Sequence, residues 1–115
     1  MTLDCFKYLN FQRDLKRVLK KHKKASADLK LWARELAAGQ LPFLGDLMQG
    51  RPEGFPELWK FRIALKSENI GQRAGLRLIG IRIENTMAAV CLYTKADLDG
   101  QPPWADLKKW FSEQA

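Results

Sequence analysis

Between Leu58 and Lys66 the chain alternates: Trp59, Phe61, Ile63 and Leu65 fall on one parity, Lys60, Arg62, Ala64 and Lys66 on the other. A period of two is the repeat of a β-strand, whose successive side chains point to opposite faces. The run therefore predicts a strand with an apolar face and a cationic one. Leu76 to Ile83 carries Leu and Ile at both parities, as a central strand does, with Arg77 at its start. A third run, Met87 to Thr94, leads into Tyr93-Thr94-Lys95. The polar, glycine-containing stretch Lys66 to Gly75 reads as the first hairpin loop, and Glu84-Asn85-Thr86 as a tighter second turn. Three neighbouring strands would bring Lys60, Arg62, Arg73, Arg77, Tyr93 and Lys95 into one region. One face would make a core and the other could hold an anion.

The flanking segments read mostly as helix. Phe6, Tyr8 and Asn10 share a parity, which suggests an edge strand over Cys5 to Asn10. Phe11, Leu15, Val18, Leu19 and Ala25 recur at helical spacing among Arg13, Lys16, Arg17, Lys20, Lys21, Lys23 and Lys24, giving an amphipathic, basic helix. Ser26 is the expected N-cap of a second helix with Leu29, Trp32, Ala33, Leu36 and Ala37 as its buried stripe, and Gly39 stops it. Gly39 to Pro56 holds four Gly and three Pro among Leu41, Phe43, Leu44, Leu47 and Met48, an irregular but packed connection. Pro103 opens a terminal helix with Trp104, Leu107, Trp110 and Phe111 on its apolar side.

This order predicts one α+β domain over residues 1–115: an antiparallel sheet of about four strands, a helical hairpin on one face and the other face partly open. Residues 7–34 hold ten Lys or Arg against Asp14 and Asp28, a surplus of +8 in a chain of net charge +7, so the remainder is close to neutral. Such a field favours a polyanionic partner, nucleic acid or acidic protein. Cys5 and Cys91 are too few and too distant in sequence for a disulfide framework or a Cys-x-x-Cys metal site. No signal peptide and no run long enough to cross a membrane is evident, so a cytoplasmic location is expected. His22, the only histidine, lies in the basic helix and reads as a surface residue, and the four Trp fall on apolar stripes.

Five segments resemble, in order, the RelE/ParE superfamily of type II toxin–antitoxin toxins, most closely the HigB-like branch. Phe11-Gln-Arg-Asp-Leu-Lys-Arg-Val-Leu-Lys-Lys is similar to the family's opening helix, and Asp28-Leu29 with Leu36 and Gly39 to its second. Leu58-Trp-Lys-Phe-Arg-Ile resembles its basic strand. Gly71-Gln-Arg-Ala-Gly-Leu-Arg-Leu-Ile resembles Gly-Lys-Ser-Gly-Gly-Tyr-Arg-Leu-Ile, and Leu92-Tyr-Thr-Lys-Ala-Asp resembles Ile-Tyr-Ser-Lys-Ser-Asp. The resemblance implies a RelE-like fold and a ribosome-dependent endoribonuclease that cuts mRNA, inhibits translation and is held inactive by a cognate antitoxin. The family needs no metal and no cofactor.

By the same resemblance, Arg77 is the arginine at the scissile phosphate, where a bidentate guanidinium suits the task. Lys60 and Arg62 match the paired basic positions. Lys60 among fixed cations is the expected base, since nearby like charges favour its neutral form. Tyr93 and Lys95 match the final motif and are expected to stack on a base, transfer a proton or hold phosphate. Gln72 and Arg73 fall in the family's polar loop near RNA. Lys16, Lys20 and Lys24 of the basic helix are expected to dock on ribosomal RNA through phosphate contacts. The chain departs from the pattern at Leu76 and Gly80, where the family has aromatics, at Gln72 for Lys, and at Ala96 for a polar residue. These departures support a second expectation, a non-catalytic ParE-like or degenerate toxin that works by binding a topoisomerase or only its antitoxin.

Overall fold

The computed structural model describes residues 1–41 and 45–115. Phe43 and Leu44, expected to pack within the central connection, lie outside them. The elements are β1 (Thr2–Asp4), α1 (Leu9–Lys21), α2 (Ala25–Ala37), β2 (Asp46–Leu47), β3 (Leu58–Ile63), β4 (Leu76–Ile83), β5 (Thr86–Thr94) and α3 (Trp104–Ser112). The domain is α+β, but its sheet is mixed and has five strands in the order β1-β5-β4-β3-β2. The expectation of about four antiparallel strands is corrected at both edges. β1 pairs parallel to β5, with Leu3 opposite Met87, and β2 adds two residues beyond β3. A parallel pair needs a long crossover, which the helices and strands between β1 and β5 supply.

The strand expected over Cys5 to Asn10 forms earlier and ends sooner. Asp4 Oδ1 accepts the Phe6 N–H at 2.8 Å, turning the chain out of β1. Tyr8 keeps only an isolated bridge to Gln114, and Leu9 and Asn10 open α1. α1 ends at Lys21, so Ala25 belongs to α2. That helix starts behind Lys24 with no side-chain cap, and Ser26 sits inside its first turn. Ala25 is buried there.

Strand alternation holds as far as Ile63, where β3 ends; Leu65 keeps only an isolated bridge to Ile70, and Lys66, expected on the cationic face, lies beside α2 near Glu35. Phe61, Ile63 and Leu65 pack with Phe11, Val18, Leu29, Trp32 and Leu36 beneath the helical hairpin, with Trp59 at the margin. Trp32 meets Phe61 edge-on, their ring centroids 5.1 Å apart. The opposite face is more covered than expected. Leu107 of α3 is fully buried against Leu58, Ile79, Ile81 and Val90, and Phe55 sits edge-on to both Trp104 and Phe111. The end of this face beyond α3 stays open among the described residues.

β5 has an edge that no strand completes. β1 covers it only as far as Ala88. Beyond that point α1 lies alongside, and Asn10, Asp14 and Arg17, spaced about one turn apart, act as a substitute strand. Asn10 Nδ2 donates to Val90 O at 3.1 Å, Asp14 Oδ2 accepts the Leu92 N–H at 2.9 Å, and Arg17 donates to Leu92 O at 3.0 Å. Buried backbone groups need such partners, and a bare sheet edge invites foreign pairing. Burial pushes the Asp14 carboxyl up, an effect opposed by the Leu92 N–H, Arg17 and Asn10. Asp14→Ala, which strands the Leu92 N–H, is expected to cost about 1–3 kcal/mol in urea unfolding. Exposed Lys20→Ala on the same helix should stay within about 0.5 kcal/mol, and equal losses would show that the edge contact is not stabilising.

Candidate functional site

The uncovered end of the sheet carries charge in register. Arg62 of β3 lies directly opposite Arg77 of β4, which lies opposite Tyr93 of β5. Like charges facing each other across strands are unfavourable unless an anion joins them. Lys60, two residues before Arg62, shares its face, while Arg73 and Lys95 come from the loops before β4 and after β5. Together with Asp99 and Gly100 these cations line an open cleft of about 400 Å³. Among the described residues, none of Lys60, Arg62, Arg73, Arg77 and Lys95 is held in an ion pair. Five cations against the single carboxylate of Asp99 leave the concave site strongly positive, and such a field attracts anions.

Arg77 is the anchor of the cleft. Its guanidinium is buried and donates to Gly75 O at 3.0 Å and to Arg73 O at 2.5 Å. These bonds hold the β3–β4 loop, leaving Nε and one N–H on each terminal nitrogen for a ligand. Gly75 itself lies tight against β3, where a Cβ would come 2.1 Å from Ile63 O.

Tyr93 lies below the surface. Its hydroxyl donates to Gly100 O at 2.9 Å, and burial, with the Cys91 thiol beneath, pushes the phenol up to about 12 against the opposing pull of Arg77 and Arg62. It supports the cleft wall and stays protonated at neutral pH, which does not suit a stacking platform or a base.

The loop after β5 is clamped on its other side. Asp97 Oδ2 accepts the Thr94 N–H at 3.1 Å, Thr94 Oγ1 accepts the Asp97 N–H at 3.2 Å, and Arg17 reaches the same Asp97 oxygen at 3.0 Å. Lys21 lies 3.5 Å from the other oxygen.

The structure thus brings Lys60, Arg62, Arg73, Arg77 and Lys95 together and places Tyr93 under them. Gln72 is not with them. It lines a hollow of about 70 Å³ beside α2, with Asp28, Trp32 and Lys66. Lys16 and Lys20 are exposed on α1, outside the cleft, and Lys24 stands at the start of α2. Leu76 is buried against the helical hairpin, on the face opposite the cleft. Gly80 sits at a β-bulge where Met87 fills the space a side chain would take, 2.8 Å from a hypothetical Cβ. Neither departure touches the cleft lining. Sequence reasoning missed Asp99 and Gly100, although Asp99-Gly100 shortly after Lys95 is a turn signal close to a candidate residue.

Among the described residues no three His, Cys, Asp or Glu side chains converge as metal ligands would, and no helix is long and apolar enough to cross a membrane. No protein-family model, curated protein or solved structure matches the chain.

Asp97 is held at about 2, against an ordinary 3.8: burial pushes it up, and the Thr94 N–H and Arg17 more than offset that. A carboxyl depressed on folding contributes its full stability above its unfolded value and loses it as pH falls through the folded one. The stability gap between the wild type and Asp97→Asn is therefore expected to shrink as pH drops from about 4 to about 2. Urea unfolding across that range measures it, and a gap that does not change with pH would contradict the clamp.

Proposed function

We propose that the protein is a HigB-like toxin of the RelE/ParE type, a metal-independent endoribonuclease that cuts mRNA on the ribosome and thereby inhibits translation. The observation that carries this reading is the convergence of Lys60, Arg62, Arg73, Arg77 and Lys95 in one cleft with no ion pair among the described residues. The α+β class of the domain is compatible with the fold that the resemblance implies.

The reaction asks little beyond charge and proton transfer. The 2′-hydroxyl of the substrate attacks the adjacent phosphorus as the bond to the 5′-oxygen breaks, leaving a cyclic phosphate and a 5′-hydroxyl. Arg77, Arg62 and Lys95 are assigned to the phosphate oxygens, where fixed cations stabilise the developing charge. The 2′-hydroxyl proton has two candidate acceptors lining the cleft, Lys60 and Asp99. An ammonium there returns a proton to the leaving oxygen. Arg73 extends the cation track, Lys16, Lys20 and Lys24 face ribosomal RNA, and the cognate antitoxin would cover the same charges with an acidic segment.

One observation favours the non-catalytic reading. The Tyr93 phenol is already committed to Gly100, and no histidine lines the cleft, so a base must come from Lys60 or Asp99. On that reading a ParE-like toxin binds a protein target through the same surface.

Primer extension on mRNA from a reconstituted translation reaction separates the two. Arg62 is exposed, so Arg62→Ala tests charge without loosening the loop that Arg77 holds. Ribosome-dependent cuts are expected from the wild type, slowed about 10²- to 10³-fold by Arg62→Ala and by Arg77→Ala. Absence of cuts from folded, antitoxin-free protein would sink the nuclease reading.

A further inference from the structure

We infer that Asp97, held by Arg17 of α1, is a positioning residue for the cleft, setting the Thr94–Asp97 turn so that Lys95 faces the anion. The inference rests on the reading of the cleft as an RNA phosphate site and adds to it a residue outside the cleft lining. Lys95 is exposed and lies between two residues that bond each other reciprocally: the Asp97 carboxylate takes the Thr94 N–H, and the Thr94 hydroxyl oxygen takes the Asp97 N–H. Two further backbone bonds, from the Asp97 and Leu98 N–H groups to Thr94 O, tighten the turn. Four hydrogen bonds thus close the turn that bears Lys95.

The turn would still pivot about the end of β5 if nothing fixed its outer side, and Arg17 supplies that contact. Its guanidinium bridges Asp97 at 3.0 Å, Asp14 at 3.4 Å and Leu92 O at 3.0 Å, joining the turn to α1 and to the strand edge. Farther along the same loop, the Tyr93 hydroxyl holds Gly100, which forms the cleft wall with Asp99. The loop is thus fixed at both ends, with Lys95 presented between them. The side chains on Asp97 are cationic, Arg17 and Lys21, so its carboxylate is already engaged and has no call on Lys95.

The direction of the expected effect separates positioning from plain electrostatics. Removing a carboxylate makes the protein more positive, and charge alone would then tighten polyanion binding. If Asp97 positions Lys95, Asp97→Ala weakens binding instead. The probe is a short fluorescein-labelled 2′-O-methyl oligouridylate, which cannot be cut, followed by anisotropy over a salt series for the wild type, Lys95→Ala, Asp97→Ala and the double variant.

Lys95→Ala is expected to weaken binding by about tenfold and to lower the slope of log affinity against log salt by about 0.7. Asp97→Ala should reproduce most of both effects, and the double variant should bind no more weakly than Lys95→Ala alone. Asp97→Asn, whose amide oxygen can still accept the Thr94 N–H, should recover part of the loss, and it replaces Asp97→Ala in the cycle if that variant does not fold. Unchanged or tighter binding by Asp97→Ala, or losses that multiply in the double variant, would overturn the positioning role and leave the cleft reading standing. Absence of salt-dependent binding by the wild type would overturn both.

Discussion

The free edge of β5 is the constraint on which the arrangement depends. A strand that pairs with β1 for only three residues must find other partners for the rest of its outer backbone groups, and it finds them on a helix. Asn10, Asp14 and Arg17 meet Val90 and Leu92 because a helical turn advances about 5.4 Å and two residues of strand about 6.6 Å, similar enough for side chains to absorb the difference. This seam decides where α1 lies and brings the hairpin over Phe61, Ile63 and Leu78. Through Arg17 and Asp97 it also fixes the loop that bears Lys95. A contact that closes a sheet edge therefore reaches the site.

The two faces of the sheet then take different roles. The hairpin face is apolar over most of β3, β4 and β5, and α3 with Phe55 seals much of the other. What α3 leaves uncovered is the end where Arg62, Arg77 and Tyr93 stand in register. Repulsion between facing arginines is a cost to the empty protein that a bound phosphate would relieve, and local rules are commonly broken at functional sites in this way. Arg77 is partly exempt, since its bonds to Gly75 O and Arg73 O make it a structural strut as well as a cation. Tyr93 carries only the structural half of that pairing, through Gly100.

Legibility in the sequence followed the strength of the local signal. The alternation from Trp59 to Ile63 specified β3 and both of its faces, so the grouping of Lys60, Arg62, Arg77 and Lys95 was legible, while Leu65 and Lys66 continue the pattern past the point where the strand ends. α1, α2 and α3 were visible in their apolar spacing. The first strand was misplaced because Phe6, Tyr8 and Asn10 share a parity, while the Asp4 to Phe6 bond and the need of Val90 for Asn10 are tertiary facts. β2 is two residues long and lies among glycines, too short to show a period. Of the two loop residues grouped together, Arg73 lines the cleft and Gln72 the hollow beside α2, a divergence that neighbouring positions in a polar loop do not reveal. The seam of Asn10, Asp14 and Arg17 was present at helical spacing, but it reads as an ordinary polar face until a strand edge is known to lie beside it.

The central proposal is that the substrate phosphate binds at the end of the sheet and not along the basic helix, where most of the formal charge lies. Backbone amide chemical shifts, followed while a 2′-O-methyl oligoribonucleotide is added to isotope-labelled protein, test this most directly. The expected result is a set of saturable shifts at Lys60, Arg62, Arg73, Arg77, Lys95 and Gly100, with only weak, salt-sensitive changes at Lys16, Lys20 and Lys24. Shifts confined to those three lysines and their neighbours, with the cleft unmoved, would contradict the account.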